Sequence, residues 1–251
     1  MKIWMVIFTA ALIPQTVWAD DVQATLQWSQ RVELSTPVSG VVQKVNVAVG
    51  DLVKRGQVLL SLDSTTYRAR VAENQSEIAR LNAEVEEAKR NLERVQELYQ
   101  RTVVSTTDLD QAKLRLVRSQ SALSESRARL QQNRKALDDA SIRAPFDAVV
   151  IVRQAEPGQS VAAGLQPQML LTLAKSGEMI ARAHLPYSQM GKLKTGQTLT
   201  LSVAGTNYEG KIKTLGMEPI KVNDDWVYPV DVVFPIKVTL RAGEPALLKL
   251  R

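Results

Sequence analysis

Residues 64–101, STTYRARVAENQSEIARLNAEVEEAKRNLERVQELYQR, decide the fold of this chain because they carry an unbroken heptad pattern. Apolar residues recur at seven-residue spacing, and a second row follows three residues behind them. The two rows are Val71, Ile78, Val85, Leu92 and Tyr99, and Asn74, Leu81, Ala88 and Val95. No Pro or Gly interrupts the stretch, so it predicts one long helix with a seam along one side.

Residues 106–140 repeat this pattern after a short polar bend. A leucine row is accompanied by a row of small or polar residues. These rows are Leu109, Leu116, Leu123, Leu130 and Leu137, and Ala112, Ser119, Ser126, Asn133 and Ala140. Small side chains in a seam favour closely spaced helices, so we predict a slender helical hairpin over 64–140. A single helix of about 35 residues extends about 50 Å. The tip of the hairpin would therefore lie far from its base, which makes it a candidate contact site.

The segments that flank the hairpin, 36–63 and 141–174, share one pattern. Each places a Pro thirteen residues before a Gly, with a Val-Val pair between them and a leucine-rich run at the end. The Pro and Gly pairs are Pro37 with Gly50 and Pro145 with Gly158. Neither half has enough apolar residues on one side to form a core alone, so we expect both to pack as one β-sandwich. Both glycines are expected in turns that need positive φ or close backbone approach.

Residues 175–251 change to an all-β pattern. Turn sequences, such as those at Gly196 and Gly243, separate the alternating segments at intervals suited to a small closed barrel. Residues 20–35 also alternate and predict a leading strand, which we expect to join the barrel and cover an exposed edge.

The first nineteen residues predict a secretory signal peptide that is cleaved. Lys2 precedes an apolar run from Ile3 to Ile13, and the segment ends in Val17-Trp18-Ala19. The apolar run is short for a bilayer span, so an uncleaved anchor is the alternative.

The composition limits the chemistry that this chain can perform. The chain has no cysteine, which excludes disulfides, thiolate metal sites and a lipidated N-terminal cysteine. His184 is the only histidine and has no nucleophile motif beside it, so we expect no enzyme activity, cofactor or metal site. The net charge is +6, but basic residues alternate with acidic ones at helical spacing, so nucleic acid is not an expected partner.

The split repeat, the inserted hairpin and the trailing segments TGQTLTLSV (195–203) and LRAGEPALLKL (240–250) resemble the periplasmic adaptor subunits, or HlyD-like membrane fusion proteins, of tripartite efflux pumps. The resemblance implies an elongated α+β fold. In it a coiled-coil hairpin interrupts a lipoyl-like β-sandwich, and a small β-barrel follows. Ala148 stands where the family commonly has Gly.

The resemblance also gives the expected order of domains. This order is a signal peptide over 1–19, a leading strand over 20–35, lipoyl-like half 1 over 36–63, the α-helical hairpin over 64–140, lipoyl-like half 2 over 141–174 and the β-barrel over 175–251. The membrane-proximal domain that many adaptors carry is not expected, which leaves the contact with a transporter open.

The hairpin bend carries the most specific part of the resemblance. Adaptors that dock onto a TolC-type outer-membrane channel have an Arg, a Leu four residues later and a Ser seven residues after that. Arg94, Leu98 and Ser105 have this spacing here, which implies that they contact such a channel. Ser105 also fits an N-cap for the returning helix, with Asp108 three residues on, and both roles stay open.

The implied function is that of an adaptor in the periplasm, peripheral to the inner membrane. It would link an inner-membrane transporter to a TolC-type channel, with copies of the chain assembled as a hexameric ring. A proton-driven transporter of the resistance-nodulation-division (RND) type is the expected partner, and an ATP-driven (ABC-type) exporter is the alternative. A periplasmic coiled-coil scaffold or chaperone is the broadest rival, and the sequence does not indicate an exported substrate.

Overall fold

The structure is a computed structural model and describes residues 20–164, 167–237 and 240–250. The chain divides into two compact units. One unit comprises residues 30–176, and the other comprises residues up to 29 together with those from 177 onward. The predicted signal peptide lies outside the described residues.

The predicted hairpin is confirmed and consists of α1 (Thr65–Gln100) and α2 (Thr106–Asp139). The row of small or polar residues supplies most of the buried seam, whereas most of the larger apolar row lies half-buried along its flanks. The buried helix residues are Asn74, Leu81, Ala88, Ala112, Ser119, Leu123 and Ser126. Small side chains therefore allow the helices to approach closely, and the larger ones cover the sides of the contact.

A polar layer interrupts the hairpin seam. The Asn74 Nδ2 donates a hydrogen bond to Ser126 Oγ at 2.9 Å, and Asn133 Nδ2 donates to Asn74 Oδ1 at 3.3 Å. Because a buried amide needs its partners, sliding one helix along the other would leave these groups unpaired. The layer thus fixes the register of the hairpin.

The two flanking segments form one β-sandwich, as predicted. Its strands are β2 (Arg31–Leu34), β3 (Gly40–Val45), β4 (Leu52–Val53), β5 (Val58–Leu62), β6 (Ser141–Arg143), β7 (Ala148–Arg153), β8 (Ser160–Val161) and β9 (Leu171–Lys175). One sheet has the order β2-β9-β7-β4 and the other β6-β5-β3-β8. Each sheet contains strands from both sides of the hairpin, and residues from both sides share one buried core.

The two halves bind each other through equivalent turns. The Gly50 amide donates to the Val150 carbonyl at 2.8 Å, and the Gly158 amide donates to the Val42 carbonyl at 2.8 Å. Both glycines have positive φ, 96° and 88°, which confirms the expected turn conformation. Neither turn can form these bonds until the other half of the repeat is present.

The two chain segments at the base of the hairpin are hydrogen-bonded to each other within the sandwich. The Leu62 amide donates to the Ala140 carbonyl at 2.8 Å, and Ser61 of β5 pairs with Ser141 of β6. The hairpin is therefore an insertion whose ends meet in one sheet.

The second unit is a closed barrel, also as predicted. Its elements are β1 (Asp20–Trp28), β10 (Glu178–Leu185), α3 (Tyr187–Met190), β11 (Thr198–Val203), β12 (Thr206–Leu215), β13 (Ile220–Val222), β14 (Asp225–Pro235) and β15 (Pro245–Leu250). The strand order is β10-β1-β15-β11-β12-β14, and pairing of β10 with β14 closes it, while β13 adds to β14 alone. Inward-facing residues such as Leu26, Leu201 and Phe234 fill the interior.

The leading strand expected over 20–35 differs from the structure. Only β1 joins the barrel, and β2 pairs with β9 of the sandwich. The polar pair Ser29-Gln30 separates them. The alternation then resumes with Val32 and Leu34 opposite Leu173 and Leu171, so their apolar pairing holds β2 in the sandwich rather than in the barrel.

Candidate functional site

The candidate site is the hairpin tip, which begins where α1 ends. The Thr102 amide donates to the Tyr99 carbonyl at 2.9 Å, and the Val103 amide donates to the Leu98 carbonyl at 3.0 Å. This is the Schellman pattern, which satisfies the last carbonyls of a helix. Thr102 takes the left-handed position with φ of 61°, where Gly is usual and a β-branched residue is strained.

The returning helix begins with a capping box. The Asp108 amide donates to Ser105 Oγ at 3.2 Å, and the Ser105 amide donates to Asp108 Oδ2 at 3.0 Å. These bonds satisfy backbone donors at the start of α2. The N-cap interpretation of Ser105 is therefore confirmed.

The capping box also fixes a charge at the tip. Hydrogen bonds from the Ser105 hydroxyl and then from its amide hold the pKa of the Asp108 carboxyl below its ordinary value. Asp108 is thus ionised at neutral pH, where its negative charge complements the positive end of the α2 dipole.

The three predicted contact residues lie along the last turns of α1 and the first residue before α2. Leu98 is half-buried, and its carbonyl belongs to the Schellman turn. Ser105 is exposed and caps α2. Arg94 is exposed one helical turn below Leu98, and its guanidinium donates to Asn91 Oδ1 at 2.6 Å. The arrangement offers a forked cationic donor, an apolar side chain and a hydroxyl, a set that suits a protein surface.

Two further tip residues were missed by the sequence analysis. Val103 is 66% exposed and Thr102 carries the left-handed turn. The position of Val103 in the bend between the heptad runs could have indicated an exposed apolar residue. Nothing in the sequence indicated Thr102, because the usual marker of this turn is glycine.

A family profile described as a CzcB-like barrel-sandwich hybrid domain matches residues 30–170, which is more than half of the chain. The chain belongs to this family. The resemblance to periplasmic adaptors, or membrane fusion proteins, is thereby confirmed. The matched range contains the whole hairpin and most of the sandwich.

The chain is also similar to named export and resistance proteins. The macrolide export protein MacA of Yersinia pestis is 31% identical over 218 residues, covering 79% of this chain and 58% of that protein. The multidrug resistance protein MdtA of Cronobacter turicensis is 24% identical over 140 residues, covering 56% of this chain and 34% of that protein. This adaptor-family chain thus spans less than two thirds of the length of either relative.

The fold also matches a solved structure. The membrane fusion protein Spr0693 from Streptococcus pneumoniae R6 superposes with a TM-score of 0.73 at 15% identity, covering 92% of this chain and 98% of that one. The predicted fold class, a hairpin within a β-sandwich followed by a barrel, is confirmed. Within the described ranges, no helix of this adaptor-family chain is both long and apolar enough to cross a bilayer.

Proposed function

We propose that this chain is the periplasmic adaptor of a tripartite efflux system and that its hairpin tip docks onto a TolC-type outer-membrane channel. The observation that carries the proposal is the tip itself. A Schellman turn and a capping box meet there within a few residues. Tight hydrogen bonding of a short bend keeps side chains on both helices in fixed positions, which lowers the entropy lost on binding.

The charges and apolar groups of the tip fit a protein partner. Arg94 can donate two hydrogen bonds in parallel to a carboxylate or to carbonyl oxygens. Leu98, one helical turn from it, and Val103, which is 66% exposed in the bend, supply apolar surface. Arginine beside apolar residues is a common composition for the centre of a protein interface.

The transporter at the inner membrane is proposed to be of the proton-driven RND type, and an ATP-driven ABC exporter is the alternative. The relatives carry names for macrolide export and for multidrug resistance, which supports efflux by either route. Copies of the chain would form a hexameric ring in the periplasm, with the conduit of the pump running through it.

The decisive experiment is a charge reversal at the tip with a matched reversal elsewhere on the hairpin. Arg94→Asp should weaken cross-linking of the exported chain to the channel at least tenfold, which corresponds to about 1.4 kcal/mol. Arg134→Asp makes the same charge change at another exposed hairpin position, near its base, and should leave cross-linking unchanged. Circular dichroism should show equal helicity for both variants.

Full channel engagement by Arg94→Asp would contradict the tip assignment. If deletion of this chain leaves the sensitivity of the bacterium to a panel of toxic compounds unchanged, this result would favour the scaffold or chaperone alternative. Experiments in the corresponding strain that carries the chain can distinguish a proton-driven from an ATP-driven transporter. Collapse of the proton gradient should stop efflux by an RND pump, whereas mutation of a nucleotide-binding domain should stop an ABC exporter.

A further inference from the structure

The inward-facing row of β14 continues past the end of the barrel. Phe234, Val232 and Val230 are buried in the barrel interior. Side chains alternate along a strand, so Tyr228 and Trp226 lie on the same face. β10 ends at Leu185, opposite Tyr228. Trp226 lies beyond it and is 65% exposed.

Other apolar residues surround this extension. Tyr187 of α3 is 78% exposed, and its ring centroid lies 6.0 Å from that of Tyr228. Met217 is 91% exposed in the connection between β12 and β13, next to Gly216, whose amide binds the Pro229 carbonyl. We call the set Tyr187, Met217, Trp226 and Tyr228 the aromatic end of the barrel.

Strand β1 begins at this same end of the barrel. Ala24 of β1 pairs with Ala183 of β10 in antiparallel register. Continuing that register places Val22 level with Leu185, the last residue of β10. The start of β1 therefore lies at the aromatic end, and in the sequence it follows an apolar run from Ile3 to Ile13. A segment of this composition is directed to a membrane whether it is a signal peptide or an anchor.

The aromatic end has no excess of positive charge among its described residues. The connections after β10 and β12 carry Lys192, Lys194, Lys221, Glu218 and Asp224, β14 begins with Asp225, and the paired ends of β1 and β15 add Asp20, Asp21 and Lys249. Lys221, the cross-strand partner of Trp226, pairs with Asp224 at 2.7 Å. Attraction to an anionic surface therefore contributes little, and the exposed rings and thioether must supply any binding energy.

We propose that the aromatic end is a membrane-interface site that rests on the phospholipid bilayer. Tyr and Trp combine a large apolar ring with a polar atom at its edge, and this combination favours the boundary between headgroups and acyl chains. The site inserts Trp226, Tyr187 and Met217 at shallow depth, and it holds the barrel unit against the bilayer. This binding requires neither a transporter nor a channel.

The test uses Trp226 as the reporter in the full chain. Replacement of Trp4, Trp18 and Trp28 by Phe leaves Trp226 as the single tryptophan. With vesicles of phosphatidylcholine that carry brominated acyl chains, the emission of Trp226 should shift to the blue and fall at least twofold. Binding should persist in 0.5 M salt, because basic side chains do not outnumber acidic ones at this end.

The contributing residues are tested in the same background. Tyr187→Ser combined with Met217→Ser should lower the vesicle partition coefficient about tenfold. Leu52→Ser, at a 70% exposed position in the sandwich unit, should leave the coefficient unchanged. Circular dichroism melting checks that each variant remains folded.

Three results would overturn the proposal. The first is that vesicles do not change the emission of Trp226. The second is that the Tyr187→Ser and Met217→Ser double variant shows the same quenching as its parent. The third is that 0.5 M salt abolishes vesicle binding. Protection of Trp226 only when a transporter is added would show that a protein covers this end instead. The vesicles contain no channel, so each of these results leaves the proposed docking of the hairpin tip untouched.

Discussion

The Ser105 hydroxyl donates a hydrogen bond of 2.7 Å to the Asp108 carboxylate, and each residue also binds the backbone amide of the other. This reciprocal arrangement gives Ser105 a structural role at the very position where docking is proposed. The two roles make different predictions for the two members of the pair.

Ser105→Ala should destabilise the hairpin by about 1 kcal/mol, because the start of α2 loses its cap. Asp108→Ala should cause a similar loss while leaving the Ser105 hydroxyl in place. If that hydroxyl contacts the channel, Ser105→Ala should weaken channel cross-linking and Asp108→Ala should not. Thermal unfolding and cross-linking measured on both variants separate capping from docking, and equal cross-linking in both would restrict Ser105 to capping.

Thr102→Gly should stabilise the tip by about 0.5 to 1 kcal/mol. Glycine adopts the left-handed conformation of residue 102 without the steric cost of a side chain, although part of this gain is offset by a more flexible unfolded chain. The direct readout is slower hydrogen exchange at the Val103 amide, which binds the Leu98 carbonyl. Thr107→Gly, inside the first turn of α2, is the control and should destabilise the hairpin by about 0.3 kcal/mol. Faster hydrogen exchange at the Val103 amide in Thr102→Gly would show that the left-handed conformation of Thr102 is not strained.

The barrel should lose stability in acid through Asp231. Burial raises the pKa of this carboxyl, but hydrogen bonds from the Arg182 guanidinium, at 2.7 and 2.8 Å, and from Thr214, at 3.0 Å, lower it below its ordinary value. A folded-state pKa below the unfolded one stabilises the protein above the unfolded pKa. This contribution is lost as the pH falls from about 4 through the lower folded value.

The acid dependence can be measured by tryptophan fluorescence during thermal unfolding, since Trp28 and Trp226 both lie in the barrel unit. Asp231→Asn should lower the melting temperature at neutral pH and show a smaller further loss in acid. A pH dependence identical to that of the unchanged chain would show that Asp231 does not carry it.

Gly216→Ala should destabilise the barrel by about 1 to 3 kcal/mol. A Cβ at this position would lie 2.5 Å from Pro229 Cδ and 2.9 Å from the Pro229 carbonyl oxygen, so strand β14 would have to shift. Gly191→Ala is the matched control, because its Cβ would meet nothing within 4 Å and its φ is −63°. Equal melting temperatures for the two variants would show that the contact with Pro229 is not limiting.

The hairpin was predictable because its signal is periodic and long. Seven-residue rows ran through both helices, and the buried positions Leu81, Ala88 and Ala112 belong to the rows assigned from sequence. The sandwich was predictable from the matched Pro and Gly spacings, since both glycines needed the same conformation. The sequence pattern therefore predicted the fold in those segments where the same physical requirement recurs several times.

Other features depend on single positions and left no pattern. The break between β1 and β2 at Ser29-Gln30 interrupts an alternation that looked continuous. The turn at Thr102 lacks the expected glycine. Trp226 alternates like any strand residue in the sequence, and only the end of β10 shows that it lies beyond the barrel. Tertiary pairing, rather than local preference, decides each of these three cases.

The bond between Leu62 and Ala140 makes the length of the hairpin independent of the body that carries it. Both helices are connected to the paired strands β5 and β6. Deletion or addition of seven matched residues in each helix would therefore change the length of the hairpin by about 10 Å without altering those strands. Evolution could in this way change the reach of the hairpin while keeping the same β-sandwich, and protein engineering could do so deliberately.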